Sequence, residues 1–412
     1  MTNMPFTQVR SQAIPRRRLN FLGFDRWLLI LVAVMVGLGL VMVYSASWDV
    51  SWRLYQDPGA LVRRQVLHLA LGLAAMGFAA YFPVGWLRKL ALPVIVFALV
   101  SLVVLLLVGA GGGPKRAFLG GSIQPSELAK LALIIYLAVW MESKGERLSD
   151  WGHGVLPLIM IIGLVGGLVL LQPDLSAVLT VAIVAWVMFY LAGARIGHTV
   201  AISLGSALVG YFLVRLTTTG QQRWSDYVAG LVNIKEASYH VQHSLQAFFS
   251  GGFLGRGLGA SREKFGLLPA PHTDSIYAVV GEELGLLGAL LVLCLFCLFV
   301  WRGFRIAVES PDRLSMLVAC GISFWIGFEG LVNMAVLLGL LPFAGNALPF
   351  FSYGGSSLVV TLVGVGLILN ISRRKPIEAA RKAHVAAIGV SRRDGRGRVS
   401  RLGRGRRARR TS

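Results

Sequence analysis

Acidic side chains are scarce in this chain: 19 Asp and Glu stand against 40 Lys and Arg in 412 residues, and charged residues of both signs make up only 14%. Set beside 55% hydrophobic residues and a mean hydropathy of +0.68, that shortage excludes an ordinary soluble globule. Cysteine is rarer still. Cys294, Cys297 and Cys320 all lie inside apolar runs, and a lone C-x-x-C without a second pair does not make a zinc site, so the three read as small packing residues. Strict apolar-polar alternation is also missing from the hydrophobic segments, which excludes a membrane β-barrel and requires backbone groups to be satisfied within helices.

What the chain does have is long apolar runs. A helix crossing a bilayer needs about 20 such residues, and about ten stretches qualify, with cores near Trp27–Val43, Val66–Tyr81, Leu90–Val108, Ser126–Trp140, Val155–Leu171, Leu175–Leu191, Val200–Val214, Ile276–Val300, Leu314–Leu338 and Ser357–Ile371. The expected fold is therefore an all-α polytopic membrane protein with about ten transmembrane helices. The first run follows Arg16, Arg17 and Arg18 and precedes Ser45-Ala46-Ser47, as a signal peptide would. It is longer than the roughly 7 to 15 apolar residues of a signal core, so it is expected to be retained as a span.

Ten spans put both termini on one side. With the termini inside, 28 of the 40 basic residues face the cytoplasm, including those in the short loops Leu87-Arg88-Lys89 and Trp301–Arg305. The reading divides the chain into a basic cytoplasmic segment, 1–25, a ten-helix domain, 26–372, and a tail, 373–412. That tail carries 15 basic residues against Glu378 and Asp394 and has few large apolar side chains, so it is expected to be disordered and cytoplasmic. It suits anionic headgroups or an acidic partner, and equally a purely topogenic role. Nucleic acid is not an expected partner, because no aromatic platform or reading helix accompanies the charge.

Most connections are short, but the extracytoplasmic one between helices 7 and 8, 216–275, is far longer than a usual loop and contains an amphipathic stretch, Tyr239–Phe249. Its glycines from Gly251 to Gly259 would let backbone approach a ligand, and Arg262 could hold phosphate; a plain flexible loop accounts for the same residues. His240 and His243 stand three apart with no third ligand nearby, which favours an interfacial helix over a metal site. The loop ends at Asp274, a carboxylate at the mouth of a hydrophobic helix, where a desolvation cost calls for a partner, a helix-terminus role or a function. A second polar cluster comprises Lys115 and Arg116, then Gln124-Pro125-Ser126-Glu127-Leu128-Ala129-Lys130. Pro125 suits a helix start, and Glu127 and Lys130, three apart on one face, can pair beside an anion-binding cavity or as a structural ion pair. Gln172, Asp174, Glu329 and Asn333 read as interhelical glue. The uncharged, Pro- and Gly-rich segment 339–357 is too broken to span and is expected to be a re-entrant or capping loop packed on protein.

Three of these blocks, Gln124–Lys130, His272–Gly285 and Leu348–Ser357, resemble in order and spacing the shape, elongation, division and sporulation (SEDS) family from about Asp25 to Ile371. Through Met42–Ser47, Gly193–His198 and Gly281–Gly285 the chain is more similar to the FtsW branch than to RodA. It departs from the family pattern at Gln172, Ala270, Ser275, Phe343 and Asn346. The resemblance implies polymerisation of lipid II into glycan strands on the outer face of a bacterial cytoplasmic (inner) membrane, in septal wall synthesis. It also implies a class B penicillin-binding transpeptidase and other divisome membrane proteins as partners. The residues suit that chemistry. Joining a sugar hydroxyl to an anomeric carbon that bears a lipid pyrophosphate needs one base and several cations, since diphosphate leaves without a second acid. Asp274 is then the catalytic base, and Arg116, Lys130, Lys115 and Arg262 the pyrophosphate ligands, with Glu127 orienting Lys130. Asp274 could instead hold a divalent cation, Mg or Mn, and the residues leave both roles open. The rival readings are a lipid II flippase, an elongation-type polymerase and a non-catalytic division scaffold.

Overall fold

The computed structural model describes residues 23–109 and 124–373. Lys115 and Arg116, the N-terminal segment through residue 22, and the basic tail beyond Arg373 lie outside the described residues.

All ten expected apolar cores fall in helices, and the described residues contain no strand. The helices are α1 (Arg26–Tyr55), α2 (Ala60–Tyr81), α3 (Leu87–Gly109), α4 (Pro125–Lys144), α5 (Leu156–Leu170), α6 (Leu175–Leu191), α7 (Ile196–Leu216), α8 (Thr218–Val232), α9 (Tyr239–Gly251), α10 (Ile276–Val308), α11 (Arg313–Leu337) and α12 (Gly355–Arg373). Seven helical stretches among the described residues are long and apolar enough to cross a membrane: α1, α3 with the turn before it (Val84–Val108), α5 with the turn before it (Trp151–Leu170), α7, α10, α11 and α12. α6, with 17 residues, is a shorter apolar helix. α2 and α4 are 22 and 20 residues long but carry charges: Arg63 and Arg64 in α2, and Glu127, Lys130, Glu142 and Lys144 in α4. The protein is a multi-pass membrane protein.

Local chemistry sets the helix starts. Asp25 caps α1 by accepting from the Leu28 N–H at 3.0 Å, Asp174 caps α6 through Ala177 N–H, and Asp312 caps α11 through Ser315 N–H. Pro125 opens α4 at its first turn, where its missing N–H costs nothing. The ends of the bundle meet at one pole: Asp25 N–H donates to Ser372 Oγ (3.1 Å), and Arg302 at the foot of α10 grips Asp25 with two bonds of 2.9 and 2.5 Å. The starts of α1 and the end of α12 therefore lie on the same side.

Apolar side chains cover the outside as well as the core, with Phe78, Leu107 and Leu171 exposed, as a lipid-facing surface requires. α11 is the central post. Of its apolar window 78% is buried, against 12% for α7, so polar groups on α11 face protein and not lipid. The irregular segment from Leu338 to Gly354 dips into the bundle as a capping loop. Leu348, Phe350 and Phe351 are buried, and a Cβ on Gly39, midway along α1, would collide with the Phe350 carbonyl.

The long connection after α7 is not a flexible loop. It forms α8 and α9, and its glycine-rich part is bonded to α10. Gly285 interrupts α10 at φ 68°, ψ −166°, a conformation open in practice only to glycine. At that break the Arg256 and Gly257 N–H groups donate to the Glu282 and Glu283 carbonyls, while Leu286 and Leu287 N–H donate to Gly252 and Phe253. The backbone the glycines approach is thus that of α10: a Cβ on Gly255 would strike the Glu283 carbonyl.

Candidate functional site

Asp274 lies in the turn immediately before α10, half-buried, at the opposite pole from the paired helix ends. The turn is held from three sides. Asn333 of α11 donates through Nδ2 to the Asp274 carbonyl (2.8 Å) and to the Asn346 carbonyl (2.6 Å). Ser352 Oγ donates to the Thr273 carbonyl (2.7 Å), and Tyr353 N–H donates to the His272 carbonyl (2.8 Å). Ala270, in the left-handed region at φ 47°, closes the turn by accepting from Thr273 and Ser275 N–H. Gly345 faces the carboxylate: a Cβ there would lie 2.8 Å from Asp274 Oδ2. The dipping loop and α11 thus hold the backbone of the turn that carries Asp274.

Cations surround this turn at different distances in the fold. Arg64, at the head of α2, donates to Tyr55 Oη at 2.8 Å, lies over the Tyr55 ring and bonds the Tyr353 hydroxyl, so it reaches the residue whose backbone holds His272. Its neighbour Gln65 spans the same loop, donating to the Ser352 carbonyl and accepting from Gly354 N–H, both at 3.3 Å. Next to Ala270 and Pro271 is a cavity of about 280 Å³ lined also by Asp49, Arg53, Lys264 and Leu268. That is near the lower bound, about 300 Å³, of small-ligand pockets.

Glu127 and Lys130 do pair, at 2.8 Å, and Lys130 Nζ also bonds Glu329 Oε1 of α11. All three side chains are buried. Glu329 stands one turn from Asn333 on the same face of α11, so this cluster lies about 6 Å along the helix from the group that pins Asp274. Gln124, which precedes α4, donates its backbone N–H to Ser356 (2.9 Å) and its side chain to Asp174 (3.3 Å), tying α4, α6 and α12 together at this end.

Arg262 is placed differently from the other expected ligands. It is exposed, and its backbone N–H, at 2.9 Å from Glu282 Oε1, is the part that the fold uses. Glu282 also accepts from Ser261 Oγ (2.5 Å), while Glu283 takes Lys264 Nζ (2.7 Å) and Ser45 Oγ (2.6 Å). Both glutamates are fully buried and their partners are supplied by the loop and α1, which is how the long connection is fastened over α10. His243 Nδ1 meets Glu263 (2.8 Å) and His240 stacks on Phe343 (4.1 Å), so the two histidines serve packing and not a shared metal. Burial holds the His272 imidazole below its ordinary 6.5, and its ring packs beside that of Tyr353.

Local pattern does not single out Arg64 and Gln65, whereas Lys264 lies in the basic stretch of the long connection that suits phosphate. A tandem Arg63-Arg64 at the start of an apolar run was the available signal, since arginine at a helix mouth needs a reason. Among the described residues no three His, Cys, Asp or Glu side chains are grouped as metal ligands. A Mg or Mn ion at Asp274 fits the habit of such ions to take one or two carboxylates and complete their shell with water and substrate phosphate.

Residues 26–376 match the family model described as a cell cycle protein and built on FtsW, RodA and SpoVE. The chain is 37% identical over 364 residues to a probable peptidoglycan glycosyltransferase FtsW of Geobacter sulfurreducens, covering 86% of this chain and 98% of that one. Among solved structures it is similar to a chain of a peptidoglycan synthase complex that coordinates polymerization and crosslinking, with a TM-score of 0.69 and 30% identity over 85% of this chain and 98% of that chain. It is likewise similar to the rod shape determining protein RodA of Thermus thermophilus, with a TM-score of 0.61 and 30% identity over 86% and 99%.

Proposed function

The chain belongs to the FtsW, RodA and SpoVE family, and from that premise we propose that it polymerises lipid II into glycan strands as a division-type peptidoglycan glycosyltransferase. The observation that carries the reading is Asp274, half-buried in a turn whose backbone Asn333, Ser352 and Tyr353 hold, with a cavity walled by Arg53 and Lys264 reaching Ala270 and Pro271 of the same turn. In the proposed step, the 4-hydroxyl oxygen of the acceptor N-acetylglucosamine attacks C1 of the donor muramyl sugar. Asp274 takes the hydroxyl proton, the new C1–O4 bond forms with inversion, and the C1–O bond to the lipid diphosphate breaks with its electron pair on the departing oxygen. Cations stabilise that oxygen. We assign this to Arg116, Lys115, Lys130 and Arg262, with Glu127 orienting Lys130, and add Arg64 because its side chain reaches the Asp274 turn through Tyr353. In the alternative role that the residues leave open, Asp274 would instead hold a Mg or Mn ion, which would supply the charge neutralisation on the leaving group.

The pole with Asp25, Arg88, Arg302 and Arg305 is assigned to the cytoplasm of a bacterial inner membrane, and Asp274 to its outer face. A class B penicillin-binding transpeptidase is the proposed crosslinking partner, supported by the likeness to a synthase complex, with other divisome membrane proteins around the pair. A flippase would need polar groups through the bilayer depth. Glu329, an acid within the ninth expected span, is paired with Lys130 inside the bundle, as interhelical glue would be, and this supports the polymerase over the carrier. The reading is tested by incubating the purified full chain with lipid II in detergent, where sidedness is lost. Long glycan strands are expected; lipid II left intact, with or without a transpeptidase present, would overturn it.

A further inference from the structure

We infer that Gly345 is a positioning residue for the base: the side chain it lacks is the space in which the Asp274 carboxylate rests, so the dipping loop sets the acid itself as well as the turn that carries it. This rests on the polymerase reading of Asp274. The bonds from Asn333, Ser352 and Tyr353 hold backbone only, since each goes to a carbonyl between His272 and Asp274. Gly345 is where the same loop meets the carboxylate. A Cβ there would lie 2.8 Å from Asp274 Oδ2 and 3.8 Å from Cγ, and apart from its chain neighbours nothing else among the described residues would come within 4 Å of it.

The backbone does not need a glycine at this position. Gly345 is outside the left-handed region and is the middle residue of a three-residue turn, closed by the Asn346 N–H donating to the Ala344 carbonyl at 2.9 Å. With φ on that side the turn is of the inverse kind, which residues with side chains adopt freely. What an alanine would meet is therefore the carboxylate alone. Nor is the loop placed to draw back. The Asn346 carbonyl accepts from Asn333 Nδ2 at 2.6 Å, and Leu348, itself buried, donates its N–H to Ser352 Oγ at 2.7 Å. Because a carbon–oxygen contact settles at about 3.3 to 3.6 Å, a methyl group at 345 pushes the carboxylate, the far end of a side chain, by about 0.5 Å. That is about the tolerance, 0.5 Å, within which a catalytic group has to be held.

The test is Gly345→Ala in the purified full chain with lipid II as substrate. The expected result is a folded protein whose kcat is lower by about tenfold or more while KM stays within about twofold, because the reacting geometry is displaced and substrate binding is kept. A kcat within about twofold of wild type overturns the inference. A second measurement is read without turnover. Gly345→Val, too large for the carboxylate to slip past, should lower the unfolding midpoint, and Asp274→Ala, by vacating the space, should restore at least about half of that loss. A loss that Asp274→Ala leaves unchanged means that a side chain at 345 meets something else, and overturns the inference as well. Wild-type protein that makes no glycan strands would sink the polymerase reading, while the unfolding comparison still decides whether Gly345 seats the carboxylate.

Discussion

On the proposed mechanism Asp274 must be held close to the hydroxyl whose proton it takes, and the backbone of its turn is held by an amide. Asn333 bonds the backbone of Asp274 and of Asn346 at once, fixing the turn to the dipping loop. Asn333→Ala removes both bonds, at a cost of about 1–3 kcal/mol in stability. It should lower kcat by about 10- to 100-fold with little change in KM, because substrate binding is left while the reacting geometry is loosened. Steady-state kinetics on lipid II check this, and an unchanged kcat would show that Asp274 is aimed by other means. His272 gives a pH signature at the same place. Burial lowers its imidazole from 6.5. Below about pH 6.5 the unfolded chain therefore takes up a proton that the folded chain refuses, so stability falls as pH drops and levels off below the folded value. His240, lowered first by burial and then by Arg223, acts in the same direction. Thermal unfolding of wild type and His272→Gln at several pH values should show a shallower acid limb in the variant; parallel curves would mean that His272 does not titrate as described.

At the scale of elements, the break in α10 is the feature on which the long connection depends. Gly285 adopts a backbone conformation that a side chain does not tolerate, and its Cβ would strike Gly255. Gly285→Ala should cost at least about 1–3 kcal/mol from backbone strain alone and should open 250–268 to protease. Gly37→Ala, in α1 with open space around it, should be neutral or slightly stabilising. Limited proteolysis of the two variants decides the point. The break carries no local signal: Gly285 lies within one helix-length run in which glycine, and the adjacent Glu282 and Glu283, do not by themselves mark an interruption, and the residues that fill the gap, Gly252 to Gly257, are some 30 positions away. The transmembrane helices were legible because bilayer thickness demands apolar length, and α9 because Tyr239–Phe249 is amphipathic. α8 escaped notice since Thr218–Val232 opens on Thr, Gly and Gln and shows its apolar stripe only at Trp224, Val228 and Leu231. Site residues follow the same rule. Glu127 and Lys130 lie three apart and their pairing could be read; Glu329 joins them across 199 positions, and Arg64 reaches Tyr353 from another helix, for which local spacing carries no signal.

For the whole molecule the governing fact is polarity between its two poles. One joins the start of α1 to the end of α12 through Asp25, Ser372 and Arg302; the other holds Asp274, the dipping loop and the folded connection. If the first is cytoplasmic, a cysteine introduced as Ser310→Cys should resist a membrane-impermeant thiol reagent added to intact spheroplasts, whereas Lys235→Cys should react; the reverse pattern would invert the assignment. On the proposed mechanism the function then rests on one acid, Asp274, at the pole that holds the dipping loop. Lipid II polymerisation by purified Asp274→Asn protein, shown by its unfolding curve and membrane insertion to be folded, tests this most directly. The account predicts that strand formation falls by at least about 100-fold, the range expected on losing a general base, while near-normal polymer from that variant would contradict it.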